Sequence, residues 1–328
     1  MIPLSTPVAL GATPPALHFG DPVMSLGSCF SECIANHLGE GGMNVLTNPF
    51  GVLYNPLSIA RTLERILEGR PFTESELTCH NGLYHSWLHH GGFSSEDATQ
   101  ALLMMNRTLS LAHERIHGLR YLILTWGTSY VYRHALTGEV VSNCHKHPEK
   151  TFLRERASLE TLVEAWHPLL TRLFALCPEL QLIPTVSPIR HLRDGAHENT
   201  LSKATLHLFT DELCRLFPER CHYFPSYEIL LDELRDYRFF AEDLTHPSRL
   251  AERVIAERLT SWLLDASTQR AFAEALRLTK ELRHRPLHEG STAHTARLTA
   301  LRAKVSDFLT RYPEALLPLP QLMLPRTW

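Results

Sequence analysis

The sequence predicts an α/β protein of three layers, a central parallel sheet with helices on both faces, followed by a helical C-terminal extension. Three observations carry this expectation. Short apolar or β-branched runs alternate with longer stretches of helical spacing from Val23 to Leu264, the order in which strands and crossover helices build a parallel sheet. The run Tyr121-Leu122-Ile123-Leu124-Thr125-Trp126 is apolar or β-favouring at nearly every position, as suits a strand covered on both faces. After about Asp265 no strand pattern returns, and Ala, Arg and Leu dominate to Arg283.

Taken in order, Val23 to Leu26 forms a short strand, Gly27 a tight turn, and Phe30 to Leu38 a helix with apolar residues at Phe30, Cys33, Ile34 and Leu38. Gly39, Gly41 and Gly42 end that helix, and Asn44-Val45-Leu46 gives a second strand that stops at Asn48-Pro49-Phe50-Gly51. A helical pattern resumes from Ser58 to Leu67, and Tyr84 to Phe93 reads as a loop or hairpin rich in His, Trp and Gly. The strand at Tyr121 ends at Gly127-Thr128-Ser129. A helix over Leu159 to Leu176 and a strand over Leu180 to Val186 follow. A helix from Leu201 to Leu216, a short strand at Tyr223-Phe224-Pro225 and a helix from Pro247 to Leu264 complete the alternation. The expected organisation is an N-terminal segment 1–21, a main domain 22–264 and an extension 265–328 with a Pro- and Leu-rich tail.

Composition narrows the function. With 328 residues, 44% hydrophobic and 20% charged, the chain supports a sizeable core. A net charge of -3 gives no electrostatic footprint for nucleic acid or an anionic membrane surface. No stretch approaches the roughly 20 apolar residues of a membrane span, and Met1 to Leu17, broken by four prolines, does not read as a secretory signal. Seven scattered cysteines without zinc-ribbon spacing fit free thiols in a reducing cytoplasm.

In an open parallel sheet, loops at the carboxyl ends of strands gather in one crevice. Ser28, Gly51, Gly127, Ser187 and the segment Asp243 to His246 all fall on that edge. Ser28, at the first turn of a helix, has a hydroxyl suited to nucleophilic attack and backbone N–H groups suited to an oxyanion. His246 supplies a base, and Asp243, three residues earlier, can accept its other ring N–H and hold the tautomer. Gly51 and Gly127 allow close backbone approach, so either can lend an oxyanion donor. Each motif alone also has a structural account, since Gly-Ser before a helix is a common N-cap and Asp-x-x-His can start one. Their ordered placement at successive strand ends favours a Ser-His-Asp machine.

The chain resembles the GSCFA-domain proteins among the SGNH/GDSL-like hydrolases. The resemblance rests on Gly27-Ser28-Cys29-Phe30, Asn48 to Pro56, Gly127 to Tyr132, Asn143-Cys144-His145-Lys146 and Ser187-Pro188-Ile189-Arg190-His191 with Asp194-Gly195. It continues through Glu198 to Ala204, Phe224 to Glu228, Leu234 to Arg238 and Asp243 to Ser248. It implies a flavodoxin-like SGNH fold with Ser28 as nucleophile and His246 and Asp243 as partners. One block departs: the family's superfamily usually carries Gly-x-Asn-Asp where this chain has Gly127-Thr128-Ser129. The oxyanion hole therefore draws on Ser28 and Gly51 with Gly127, Thr128 or Ser129, or borrows Asn143. Asn48, His89, Arg190, His191 and Asn199 are expected to bind substrate. A helix N-terminal network explains Arg190, His191, Asn199 and Lys203 equally well.

Three rivals stand beside this reading. His113-Glu114-Arg115-Ile116-His117 matches the zincin helix pattern, with Glu139 as a conceivable third ligand. Gly118 and the strand at Tyr121 follow too closely for a long ligand helix. Cys29 is a second nucleophile candidate at a helix start, although adjacent side chains point apart. A degenerate SGNH fold that binds a glycan is the third. The expectation is a serine esterase or acyltransferase acting on a small-molecule or glycan ester, without metal or organic cofactor.

Overall fold

The computed structural model describes residues 5–284 and 291–319; the tail from residue 320 onward lies outside the described residues. The chain begins with β1 (Val23–Gly27), α1 (Cys29–Glu40), β2 (Val45–Thr47) and α2 (Pro56–Glu68). A hairpin of β3 (Thr78–His80) and β4 (Leu83–His85) precedes α3 (Ala98–Ile116) and β5 (Tyr121–Trp126). Then come β6 (Tyr130–His134), β7 (Val140–Val141), β8 (Phe152–Arg156), α4 (Leu159–Leu176), β9 (Gln181–Val186) and α5 (Ala196–Leu216). The last elements are a single turn α6 (Ser226–Glu228), α7 (Arg249–Leu263), α8 (Ala266–Leu282) and α9 (Thr292–Arg311).

The central sheet is parallel throughout, in the order β2-β1-β5-β9, with Val23 opposite both Val45 and Tyr121 and with Tyr121 opposite Gln181. Successive strand side chains alternate between faces, and each face has its own core. Met24, Leu26, Leu122, Leu124, Trp126 and Leu182 pack with residues of α2, α3, α4 and α5. Val23, Tyr121, Ile123 and Ile183 pack with α1, α7, α8 and α9. The fold is therefore mixed α/β with three layers. The sequence step from β1 to β2 goes one way and the next sheet strand, β5, adds on the other side of β1. That reversal opens a crevice at the carboxyl ends of β1 and β5.

Local chemistry sets the helix ends. The Ser58 N–H donates to the Asn55 side chain at the start of α2, Pro56 occupies its first turn, and Gly69 closes it in the left-handed region at φ 61. Asp97, Ser158, Ser248 and Asp265 cap α3, α4, α7 and α8 through their side chains. Helix α8 is tied to α1 by the Thr279 hydroxyl, which donates to Glu40 O at 2.7 Å, and by the Arg283–Glu40 ion pair. No described helix is long and apolar enough to cross a membrane.

Besides α3, which the sequence reading did not set out as an element, two features differ from it. The segment at Tyr223 to Pro225 forms no strand of its own. It runs extended along β9, with the His222 and Phe224 N–H groups donating to Leu182 O and Pro184 O, and only Cys221 makes a ladder bridge. Pro225, lacking an N–H, cannot extend that ladder, and the chain turns at once into α6. The second feature is an antiparallel sheet in the order β7-β6-β8, between β5 and α4, where no strands were expected. It builds one wall of the site.

Candidate active site

The turn from β1 to α1 is set by Gly27. Its φ is 144, and a Cβ there would sit 2.3 Å from Thr125 O on the neighbouring strand, so only glycine fits. Asn48 braces the same turn from beneath: its Oδ1 accepts the Gly27 N–H at 2.9 Å and its Nδ2 donates to the Ser31 hydroxyl at 3.1 Å. Ser28 occupies the N-cap position of α1, yet its side chain makes no capping bond. A serine there ordinarily accepts an N–H from the first turn, a bond of about 1 kcal/mol. Here the Ser28 Oγ is buried and has no hydrogen-bond partner among the described residues. A buried hydroxyl left unused at a helix start calls for an explanation beyond helix capping.

Asp243 and His246 stand on a loop against the other side of this edge. The His246 ring Nδ1 lies 2.6 Å from Asp243 Oδ2, while Asp243 Oδ1 accepts the backbone N–H groups of Thr245 at 3.0 Å and His246 at 2.9 Å. Those backbone donors, and then the imidazole, hold the Asp243 carboxyl below the usual range. With Nδ1–H directed at the carboxylate, Nε2 keeps its lone pair for a proton. Leu244 between them has φ 56, an uncommon left-handed conformation for a leucine. The loop is fixed by Ala241 N–H to His246 O and Ser248 N–H to Phe239 O, both 2.8 Å, and joined to the end of β9 through Arg190 N–H to Thr245 O at 3.4 Å.

A cavity of about 380 Å³ reaches His246 on one side and Cys29, the residue after Ser28, on the other, and is lined as well by Tyr54, Tyr130, Tyr132, Arg154, Arg190 and His191; Ser28 and Asp243 do not line it. Clefts of about 510 and 540 Å³ elsewhere hold none of the candidate catalytic residues. The Arg154 guanidinium lies 4.1 Å from the Tyr130 ring centre and pairs with Asp194, and Arg193 pairs with Glu149. Tyr130 donates its hydroxyl to Glu198 at 2.5 Å. Lys203 is fully buried beneath, donating from Nζ to Gly127 O and Ser187 O, each at 2.7 Å. It thereby ties the carboxyl ends of β5 and β9 together. Burial pushes its pKa down to about 7.

The remaining predicted residues fall in distinct places. The Gly51 N–H donates to Asn48 O at 2.7 Å, Gly127 and Thr128 both donate to Tyr54 O at 2.8 and 2.9 Å, and Ser28 donates to Thr125 O at 3.3 Å. The Ser129 N–H donates to the Ser202 hydroxyl at 2.8 Å. Asn143 turns its own loop, its Oδ1 accepting the His145 N–H. Asn199 is buried and its Oδ1 accepts the His191 N–H at 2.9 Å. His89 stacks on Phe50 with ring centres 4.3 Å apart, fully buried, and burial lowers its pKa to about 3. The sequence reading did not single out Tyr54, Tyr132, Arg154 or Arg193. The Tyr130-x-Tyr132 alternation was the available signal, because residues two apart on a strand share a face.

The rivals are also placed. In the zincin-like segment, α3 ends at Ile116, His117 is its C-cap, and the His113 Nδ1 is bonded to Ile66 O at 2.7 Å. The described residues contain no group of three or more His, Cys, Asp and Glu side chains arranged to hold a metal ion. Cys29 lines the cavity, but burial raises its thiol pKa above the ordinary value, the opposite of the shift that activates a thiolate.

The fold and this edge define an α/β protein with a buried strand-to-helix serine and, on a separate loop, an Asp-His pair. The chain belongs to the GSCFA family, whose model matches residues 22–259. Among solved structures it is similar to an acetyl xylan esterase (Est2A) from the rumen bacterium Butyrivibrio proteoclasticus, with 11% sequence identity and a TM-score of 0.37. That match covers 76% of this chain and 64% of the other, less than two thirds of the esterase's length. A search of curated protein sequences gave no significant match.

Proposed function

We propose that this protein is a serine esterase of the SGNH type, working through Ser28, His246 and Asp243. The observation that carries the reading is the Ser28 hydroxyl, buried at a helix N-terminus and without a hydrogen-bond partner among the described residues. In this mechanism Ser28 Oγ attacks the ester carbonyl carbon and passes its proton to His246 Nε2. The C–O bond breaks, the leaving alcohol takes that proton, and water activated by the same imidazole releases the acid and restores the serine. An alcohol in place of water makes the reaction an acyl transfer. Asp243 holds the imidazole tautomer, and the mechanism calls for no metal or organic cofactor. The tyrosine-walled cavity suits the apolar face of a sugar, so the substrate class is an acylated carbohydrate, such as an acetyl ester. The odd number and scatter of the cysteines support a cytoplasmic location.

The test is hydrolysis of a short-chain p-nitrophenyl ester by wild type and by Ser28→Ala, Cys29→Ala and His246→Ala. Loss of roughly 10³-fold or more with the serine and histidine variants, and little change with Cys29→Ala, is the expected pattern. Undiminished turnover by Ser28→Ala sinks the proposal. A second reading, a glycan-binding protein without turnover, draws on Gly127-Thr128-Ser129, which offers no asparagine side chain to an oxyanion. Covalent labelling of Ser28 by a fluorophosphonate separates the two.

A further inference from the structure

The backbone donors on this edge are largely spent. Gly51, Gly127, Thr128 and Ser129 each donate to an acceptor at 2.7 to 2.9 Å, while the Ser28 N–H, at 3.3 Å from Thr125 O, is held more loosely. An oxyanion formed at Ser28 needs preorganised donors, and a buried, unpaired side-chain donor beside it can supply one. We propose that His191 is that residue, its Nε2–H donating to the oxyanion formed when Ser28 attacks the carbonyl. The proposal rests on the Ser28 acyl-enzyme reading above.

Geometry supports it in three ways. The Nε2 of His191 and the Oγ of Ser28 are both buried polar atoms without a partner among the described residues. They border the same spot, because the missing Cβ of Gly127 would lie 3.3 Å from His191 Nε2 and 3.5 Å from Ser28 Cβ. Buried polar atoms are rarely left unpaired in a folded protein, and two beside one point suggest a ligand atom between them, with Tyr54 O, 2.9 Å from that point, bounding it on another side. The ring is also held in place. Its backbone N–H is fixed by Asn199, its edge packs on Tyr54 at 5.8 Å between ring centres, and it lines the cavity that His246 lines. Burial, with the Lys203 and His246 charges, lowers its pKa to about 4. The imidazole is therefore neutral at pH 7, able to donate from Nε2 while a carbonyl oxygen gains charge. This supplies a donor where Gly127-Thr128-Ser129 offers no asparagine.

The test compares wild type, Ser28→Ala, His191→Ala and His191→Gln on p-nitrophenyl acetate, with melting curves to confirm folding. The expected result is a fall in kcat of about 10²–10³-fold for His191→Ala with KM changed less than about threefold. His191→Gln, which keeps an N–H donor and cannot act as a base, recovers at least about tenfold of that loss. If His191→Ala keeps kcat within threefold of wild type while Ser28→Ala is inactive, the His191 role is overturned and the serine reading stands. Equal loss in the Ala and Gln variants also overturns the donor role. If Ser28→Ala turns over normally, the serine reading fails and takes this inference with it.

Discussion

Replacing Gly27 by alanine tests whether the β1 turn sets the position of Ser28. The added Cβ would meet Thr125 O at 2.3 Å and the Thr125 C and Cβ at 2.9 Å, in a residue whose φ is 144. Thr125 is the register partner of Gly27 on the central strand β5, so relief requires moving one of two strands that are buried throughout. The backbone conformation costs alanine about 1–3 kcal/mol, and displacing the packed strands about 1–3 kcal/mol more. Gly27→Ala is thus expected to lose about 2–6 kcal/mol, a fall in Tm on the order of 3–9 °C. Gly39→Ala is the matched control. It lies in α1 with nothing within 4 Å of the added Cβ, and is expected to gain about 0.5–1 kcal/mol. Thermal and urea unfolding of both variants measures the contrast. A loss below about 1 kcal/mol for Gly27→Ala would refute the argument.

Other expectations follow from the charged and titrating groups. His85, His145 and His191 have pKa values lowered to about 4, and His89 to about 3, in each case mainly by burial. Since the unfolded chain titrates near 6.5, it binds more protons than the folded one between about pH 4 and 6.5. Stability should be full above that window and fall as pH drops through it. His89→Phe should flatten the slope of urea midpoint against pH whatever its effect on absolute stability; an unchanged slope counts against the burial argument. Asp243→Asn keeps an Oδ1 acceptor for the Thr245 and His246 N–H groups but loses the carboxylate facing the imidazole. It should lower kcat by about 10²-fold or more. Its Tm should barely move, because both side chains are half exposed. Full activity in this variant would remove Asp243 from the mechanism.

Much of this architecture is legible in the residues, and the reasons differ by element. Strands β5 and β9 are buried on both faces, so their apolar runs stand out, and α4 spans the Leu159–Leu176 stretch its spacing predicts. The β1 turn is readable because glycine there has a steric cause. The β6-β7-β8 sheet is harder to see. Its strands carry Arg133, Arg154, Glu155 and Arg156, pair only with each other, and take their identity from contacts distant in sequence. The cavity wall was missed with it. Side-chain direction is the other gap: residue type suggested Asn48 and His89 as ligand contacts, but the fold turns Asn48 under Gly27 and stacks His89 on Phe50. His191, in contrast, faces the site because Asn199, one turn into α5, holds its backbone. No local pattern announces that pairing across a loop.

The most direct test of the central claim is reaction of the native protein with a fluorophosphonate, followed by intact mass and peptide mapping. The account predicts one adduct, on Ser28, absent from Ser28→Ala and formed more slowly in His246→Ala. No adduct in the native protein, or an adduct on Cys29 that persists in Ser28→Ala, would contradict it.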